Sequence, residues 1–438
     1  MDKQLRLGLA GLGTVGSSVA RLIERNRVEL AGKCQRGIEI TAVSARDPNK
    51  ARGADLGSAM WFDDAAEMAR SAEIDVLIEL IGGADGIAYE AVTAALTSGK
   101  HVITANKALI AAHGVELARL AETRGVSLNF EAAVAGGIPV VKTLREALAG
   151  NRVSHVYGIL NGTCNYILTR MEREHLSFEA CLKRAQELGY AEADPTFDIE
   201  GHDTAHKLAI LTSLAFGTEI SDEDIYMEGI SSITTADIEA ADDLGYRIKL
   251  LGVAQRTESG IEQRVHPAMV PKASAIAQID GVTNAVAIDG DFVGEIVLAG
   301  AGAGGDATAS AVVGDIADIA RSIRVPALGR PADLLTPYVR ARMRAHEGGY
   351  YIRLMVQDRP GAFAAIATRM SEKGISLQSI VQKDLAEPTR ARDENALKPV
   401  ILITYDTMEA GVREALELIE ADNVIVGPPQ LIRIEKLY

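Results

Sequence analysis

Between Ala185 and Lys207 the chain reads AQELGYAEADPTFDIEGHDTAHK, and there Glu192, Asp194, Asp198, Glu200 and Asp203 crowd beside Lys207. Asp203 and Lys207 stand four apart, so on a helix they share a face and can pair. Read alone, such a pair is a solvated surface feature worth about 0.3–0.5 kcal/mol. A second lysine, Lys107, follows Thr104-Ala105-Asn106 at the expected start of a helix. A cation is mildly disfavoured at that end of the helix dipole, so an anion nearby would compensate it. Carboxylates suited to an ammonium group, and lysines that can give or take a proton, are the chemistry these residue types offer.

Gly11-Leu12-Gly13-Thr14-Val15-Gly16 lies between an expected strand and an expected helix. Missing side chains there let the backbone turn tightly and approach a pyrophosphate at the helix N-terminus. The pattern is weak by itself; strand, helix and second strand together make it a dinucleotide site. The second strand, IEITAVSAR, should end near the adenosine ribose, where an acidic residue would mark NAD. Arg46 stands there instead, and Lys50 and Arg52 follow. The planar arginine fork suits a 2′-phosphate and favours NADP(H), while Asp47 leaves room for NAD(H). The alternative is a solvated basic loop. Glu79-Leu80-Ile81-Gly82-Gly83 and Thr104-Ala105-Asn106-Lys107 fall at the carboxyl ends of later strands, where open α/β sheets bind ligands. Ile81, Gly82, Thr104 and Lys107 are therefore cofactor candidates.

The elements that must carry these residues alternate. Strand-like runs at 5–10, 38–44 and 75–80 are interleaved with helical stretches at 15–27 and 87–98, and HVITAN leads into a helix over 107–124. That alternation predicts a parallel sheet flanked by helices. SLNFEAAVAGGIPV then leaves this layer and feeds a helix over 140–149. From 150 to 300 strands such as VSHVYGIL and IKLLGVAQR mix with helices, among them a long one over 201–216, which is the pattern of an α+β domain. Pro326, Pro331 and Pro337 break regular structure and suit a linker. After it comes βαββαβ in about ninety residues, a module of ordinary size.

Asn161-Gly162-Thr163-Cys164-Asn165-Tyr166 offers short polar side chains and a glycine beside a strand end, either a polar pocket lining or a capped helix start. Cys164 has no base partner in sequence and reads as structural. His202 and His206 could form half of a metal site, but no third ligand follows at suitable spacing.

The signature A-x3-G-Y-A-x2-D-P-x2-D-I-x-G-x-D-x3-K, uninterrupted from Ala185 to Lys207, resembles that of homoserine dehydrogenases. The GLGTVG loop, TANKALI, EAAVAGGIPV, GILNGTCNYIL and AGAGGDATASAVVGD share the resemblance, which covers most of residues 1–325. It implies a Rossmann NAD(P)-binding domain over 1–140, an α+β catalytic and dimerisation domain over 141–325 whose last helix, about 306–322, packs back on the first, and a linker over 326–348. It implies Lys207 as the proton-transfer residue and Lys107 beside it, touching cofactor and reacting oxygen. Glu192 and Asp203 would hold the amino-acid substrate, with Asn161, Gly162, Thr163 and Tyr190 around it, and Gly302 would join the cofactor set. Glu131, Val134, Gly136 and Ile138 match a monovalent-cation site resembling a sodium site, built of main-chain carbonyls and one glutamate, donors that suit alkali ions and not zinc. Oxidising a primary alcohol removes its proton while hydride leaves for the nicotinamide, and a lysine serves in either direction. A second cation and partial burial would bring its pKa toward working pH.

The segment 349–438, with Asp358-Arg359-Pro360-Gly361 after its first strand, resembles an ACT domain, a module that binds amino acids at strand-to-helix turns. Gln378 and Gln382 fall on its second strand, and 384–398 reads as a polar loop. In this family the appendage implies feedback by a pathway end product, threonine first; a ligand-free dimerisation module is the alternative.

The resemblance implies interconversion of L-homoserine and L-aspartate 4-semialdehyde by a cytoplasmic homodimer or homotetramer. Two other readings compete: another semialdehyde oxidoreductase and a non-catalytic nucleotide and amino-acid sensor. Aspartate-semialdehyde dehydrogenase chemistry would need a cysteine nucleophile, for which Cys164 has the wrong context. Bulk properties narrow the field further. At 438 residues, 47% hydrophobic and 24% charged, the chain is an ordinary globular protein of about three domains. A net charge of -15, with no concentrated basic run, argues against nucleic acid and anionic lipid. Three cysteines without a CxxC pair fit a reducing cytosol, and no apolar run reaches bilayer-spanning length.

Overall fold

The computed structural model describes residues 4–48, 50, 53, 55–341, 347–357, 360–382 and 397–436. The first layer runs β1 (Leu5–Ala10), α1 (Thr14–Arg25), α2 (Arg27–Cys34), β2 (Ile38–Ser44), β3 (Met60–Phe62), α3 (Ala65–Ser71), β4 (Val76–Glu79), α4 (Ile87–Thr97), β5 (His101–Thr104), α5 (Lys107–Arg124) and β6 (Leu128–Asn129). The six strands are parallel in the order β3-β2-β1-β4-β5-β6. Leu7, Leu9, Val76 and Ile78 are wholly buried, as an apolar strand covered by helices on both faces must be. The strand order reverses between β1 and β4, and a crevice opens there at the carboxyl ends. The expected helix over 15–27 is divided: α1 stops at Arg25 and α2 begins two residues on. Likewise 140–149 is a short α6 (Val140–Lys142) passing into a π turn over Thr143–Ala147.

The second layer comprises β7 (Val153–Ile159), α7 (Gly162–Glu174), α8 (Phe178–Glu187), α9 (Thr196–Ile199), α10 (His202–Phe216), β8 (Tyr226–Met227), α11 (Thr235–Asp243), β9 (Tyr246–Thr257), β10 (Gly260–Pro271), β11 (Thr283–Gly290), β12 (Gly294–Ala301) and α12 (Gly305–Ala320). α10 is stopped by Gly217 in the left-handed region, where glycine has no Cβ penalty. α12 returns to the first layer: Ala309, Val312 and Ile316 share a core with Leu5, Val19 and Ile23. A Cβ on Gly305 would stand 2.8 Å from Ser18 Oγ, which measures how closely α12 lies on α1.

The chain ends in β13 (Glu347–Gln357), α13 (Ala362–Glu372), β14 (Leu377–Gln382), β15 (Leu397–Thr404), β16 (Thr407–Met408), α14 (Glu409–Ala421) and β17 (Gln430–Ile434). This is the expected βαββαβ order with one added short strand. Its sheet is not separate. β17 pairs in parallel with β10 through Ala268–Arg433 and Met269–Ile434, so the order β12-β11-β7-β9-β10-β17-β13-β15-β14 is continuous. Of the linker expected over 326–348 from its prolines, the stretch 326–341 is anchored along its length. The Ala332 N–H donates to Glu122 at 2.9 Å, Arg119 pairs with Asp333 at 2.9 Å, and bridges join Thr218 to Thr336 and Ile261 to Arg340. Proline stops a helix there without preventing packing. Among the described residues no helix is long and apolar enough to cross a membrane.

Candidate active site

A cleft of about 840 Å³ opens at the strand-order reversal and runs from Val15 past Leu80–Gly82 to Asp198, Asp203 and Lys207. On its first side the three loop glycines have different duties. A Cβ on Gly11, at φ +99°, would lie 2.6 Å from the Leu80 carbonyl oxygen, and one on Gly16 would lie 2.1 Å from that of Gly11. Both positions are fixed by close backbone approach. Gly13 has nothing within 4 Å, and no side chain caps α1 there, so the first N–H groups of α1 face open space suited to an anion. The Gly11 N–H donates to Ser44 O at 2.8 Å, which seats the loop beside the end of β2.

Of the expected cofactor residues, Val15, Ile81, Gly82, Lys107 and Gly302 line the cleft. Thr14 is the first residue of α1, against Gly305. Thr104 is wholly buried behind the lining, and its hydroxyl donates to Glu79. Arg46 and Lys50 are exposed beyond β2, and Arg52 lies outside the described residues.

On the other side, α10 presents Asp203 and Lys207 one turn apart, and Lys207 Nζ donates to Asp203 Oδ2 at 2.8 Å and to the Leu160 carbonyl at 2.6 Å. Lys107, carried on α5 of the first layer, meets Asp203 Oδ1 at 2.9 Å. The anion that the lysine at this helix start requires is thus Asp203. Asn161 caps α7 through its Oδ1, at 2.8 Å from Cys164 N, and its amide nitrogen donates to Asp198 at 2.8 Å and Asp203 at 2.9 Å. Thr163 Oγ1 donates to Tyr190 O at 2.7 Å, and both residues line the cleft.

Burial alone would raise the Asp203 carboxyl, but Lys207 and Lys107 together hold it well below the usual range. Asp198 is pushed up by burial, against the opposing Asn161 hydrogen bond. The two ammonium groups therefore do not face each other bare, as simple crowding by a second cation would have it. Asp203 is shared between them and itself lines the cleft. Asp198 has one carboxylate oxygen held by Asn161 and lines the cleft beside Asp203, a second carboxylate there. Glu192 is exposed on the loop after α8 and is not part of the lining; its main-chain oxygen accepts from Gln186 at 3.0 Å. Asp198 was visible within the acidic cluster but not distinguishable from its neighbours. Asn284, which donates to Leu160 O at 2.9 Å, carried no local signal, and Glu79 carried only its place at a strand end.

Burial and the nearby Asp198 push the Cys164 thiol up, and its Sγ donates to Asp198 O at 3.2 Å, so it is no thiolate nucleophile. Below the cleft, Glu131 accepts from Val141 N at 2.9 Å and Lys142 N at 2.8 Å. Burial and Asp315 push its carboxyl up to about 7. Ala135 and Gly136 both have φ +55°, and a Cβ on Gly136 would stand 2.5 Å from Gly302 O. Among the described residues no hydrogen bond reaches the buried carbonyl oxygens of Val134 and Gly136, while that of Ile138 accepts from Val140. His206 Nε2 is 3.8 Å from Asp222, and no group of three or more metal-binding side chains occurs among the described residues.

Comparison with known proteins agrees with this geometry. The family model described as homoserine dehydrogenase matches residues 139–317, and that described as the homoserine dehydrogenase NAD binding domain matches 11–131. A homoserine dehydrogenase of Pseudomonas aeruginosa is 47% identical over 99% of this chain and 100% of its own length. The crystal structure of a homoserine dehydrogenase from Thiobacillus denitrificans superposes with a TM-score of 0.91 at 43% identity, covering 99% of this chain and 98% of that one. A hyperthermophilic archaeal homoserine dehydrogenase in complex with NADPH superposes with a TM-score of 0.63 at 26% identity, over 74% of this chain and all of the other. With the glycine loop, the lysine-carboxylate cluster and full-length relatives in agreement, the chain belongs to the homoserine dehydrogenase family.

Proposed function

We propose that the chain interconverts L-homoserine and L-aspartate 4-semialdehyde with NADP(H) preferred over NAD(H), through Lys207 and Lys107. The reading is carried by one observation: lysines from two layers converge on Asp203 in the cleft that begins at the glycine loop. The nicotinamide, when bound, takes or returns the hydride. Lys207, once its own proton has left to solvent, takes the hydroxyl proton in oxidation as a neutral amine, and in reduction returns a proton to the aldehyde oxygen as an ammonium, while Lys107 opposes the negative charge that develops on that oxygen. Asp203 and the Leu160 carbonyl fix where the Lys207 nitrogen stands. The first N–H groups of α7, at Gly162 and Thr163, suit the substrate carboxylate, and Asp198 its ammonium. Glu192 at the exposed loop and Tyr190 in the lining complete the family set. Adding aspartate semialdehyde to protein and NADPH tests the activity by loss of NADPH absorbance. Lys207→Ala should abolish that loss while NADPH binding, followed by fluorescence, is retained; near-normal turnover sinks the assignment.

The NADP preference rests on Arg46 beyond β2, with Lys50 and Arg52 after it, and on the absence of an acid at position 46. Arg46→Asp should shift the ratio of kcat/KM values toward NADH. Glu131, Val134, Gly136 and Ile138 would hold a monovalent cation such as sodium: two buried carbonyls without donors are suitable hard oxygen ligands. The βαββαβ module supports an ACT regulatory domain over 349–438, following the domains at 1–140 and 141–325 and the linker at 326–348, and threonine is its proposed effector. A threonine titration of the initial rate that matches an alanine titration removes the effector. A homodimer or homotetramer is supported by β12, a sheet edge followed from the half-exposed Val293 and the 90% exposed Phe292.

A further inference from the structure

Behind the cleft lining lies a closed ring of buried polar groups that no step above uses. Glu79, at the end of β4, is wholly buried. Its Oε1 accepts from Ile81 N at 2.7 Å and Gly82 N at 3.1 Å, and its Oε2 accepts from Thr104 Oγ1 at 2.5 Å. Thr104 Oγ1 in turn accepts from Asn106 N at 2.9 Å. Asn106 donates through its amide nitrogen to Gly83 O at 2.6 Å and accepts from Leu109 N at 3.1 Å, capping α5. The ring therefore returns to the turn from which it began.

Two features give this ring a purpose beyond stability. Gly82 and Gly83 stand at φ +89° and +86°, and the turn they close points the Ile81 and Gly82 N–H groups to the Glu79 carboxylate behind it while Leu80, Ile81 and Gly82 line the cleft on its outer side. The next residue after Asn106 is Lys107, the first of α5, whose side chain is one-third exposed in the cleft and reaches Asp203. A displacement of the turn reaches the cap that sets the origin of α5 by two routes, through Glu79 and Thr104 and directly through Gly83 O on Asn106. A buried network with every member satisfied transmits such a shift as a unit. An ordinary surface turn followed by a surface-capped helix would have no such connection.

We propose that Glu79, Thr104 and Asn106 are positioning residues which couple occupancy of the 80–83 turn by the dinucleotide to the setting of Lys107 over the reacting oxygen. Glu79 and Thr104 are wholly buried behind the lining, and Asn106 reaches it only at one edge. The inference rests on the reading that a dinucleotide occupies this cleft. NADPH titration of the wild-type protein by fluorescence tests that reading alone, because absence of binding removes it whatever the variants do.

The test of the coupling is a double-mutant cycle on the full chain. Thr104→Val keeps the shape and removes both hydroxyl hydrogen bonds. At saturating NADP+ it should lower kcat for homoserine about tenfold and leave the homoserine KM within about twofold, the signature of lost orientation and not of lost binding. Thr104→Ser should recover most of the loss, and Glu79→Gln should repeat it. In a Lys107→Ala background, Thr104→Val should cost less than about twofold further, because the ring then has nothing to position. A wild-type kcat in Thr104→Val, or the full tenfold loss in both backgrounds, overturns the proposal. So does a Thr104→Ser variant as slow as Thr104→Val. If Thr104→Val does not fold, Glu79→Gln run through the same cycle decides by the same criteria.

Discussion

Lys207 reaches back one turn of α10 to Asp203, 2.8 Å away, and the other oxygen of that carboxylate holds a lysine from a different layer. The pair is buried, so it differs in kind from the exposed i,i+4 pair that spacing alone suggests. Its geometry is reinforced at both ends, by the Leu160 carbonyl on Lys207 and by the Asn161 amide on Asp203.

Removing the shared carboxylate should therefore be worse than removing either lysine. Asp203→Ala leaves two ammonium groups without their counter-charge, and loss of one partner from a buried pair costs about 3–5 kcal/mol. Urea unfolding should record a loss of that size together with the loss of turnover. A stability equal to the wild type would mean that water replaces the carboxylate freely and that the cluster is not desolvated as described.

Acid should weaken the fold through the same group. The folded Asp203 carboxyl lies below its ordinary value of 3.8, so in that range the unfolded chain binds more protons than the folded one. Its contribution is complete above pH 3.8 and is lost as pH falls through the folded value. Urea midpoints followed from pH 6 downward, a range spanning about two units above that value, should show a steeper acid limb for wild type than for Asp203→Asn. Parallel limbs would remove Asp203 from the acid response.

The legible and illegible parts of this molecule divide by sequence distance. The β1–α1–β2 unit, its glycine turn and the Asp203–Lys207 pairing are local, so period and spacing carry them. The anion required by Lys107 could be inferred from the helix dipole, but its identity, 96 residues further on by the numbering of Lys107 and Asp203, could not. Glu79 reads as one more strand-end residue until β5 is laid beside β4 and Thr104 arrives against it. Asn284 is set against Leu160 only because β11 pairs with β7, with Ala285 opposite Ile159. The pairing of β17 with β10 joins segments whose own patterns are complete without each other, so nothing in either announces the seam. Glu192 and Asp198 show the remaining difficulty. Both are acids in one short cluster, and only the turn through Pro195 and α9 decides which of them lines the cleft.

The loop glycines provide a way to separate folding from cofactor binding. Gly13 has φ −73° and an open surround, so alanine fits the protein itself. Gly13→Ala should leave the thermal midpoint unchanged and weaken NADPH by about tenfold or more, because the added methyl stands where the pyrophosphate must approach α1. Gly16→Ala should destabilise the fold first, since its Cβ would fall 2.1 Å from Gly11 O. Unaltered NADPH affinity in Gly13→Ala would place the phosphates elsewhere.

The seam between β10 and β17 makes the final prediction. Arg433 is 1% exposed and donates to Glu409 at 3.0 and 2.7 Å and to Glu228 at 2.8 Å, so one guanidinium ties α14 to the loop after β8. Arg353 and Tyr351 make a second tie, both donating to Asp237 of α11. With the sheet continuous through Ala268–Arg433, the C-terminal module and the catalytic layer should unfold in one transition. Arg433→Ala leaves Glu409 and Glu228 only the half-exposed Arg413, at 2.8 and 3.2 Å, and removes the buried cation between them, at a cost approaching the roughly 3–5 kcal/mol of a broken buried pair. The variant should then unfold in two steps, the module first, while NADPH binding at the distant cleft persists to the second. One unshifted transition in Arg433→Ala would show that β-pairing alone holds the module, and that the buried ion network contributes orientation without stability.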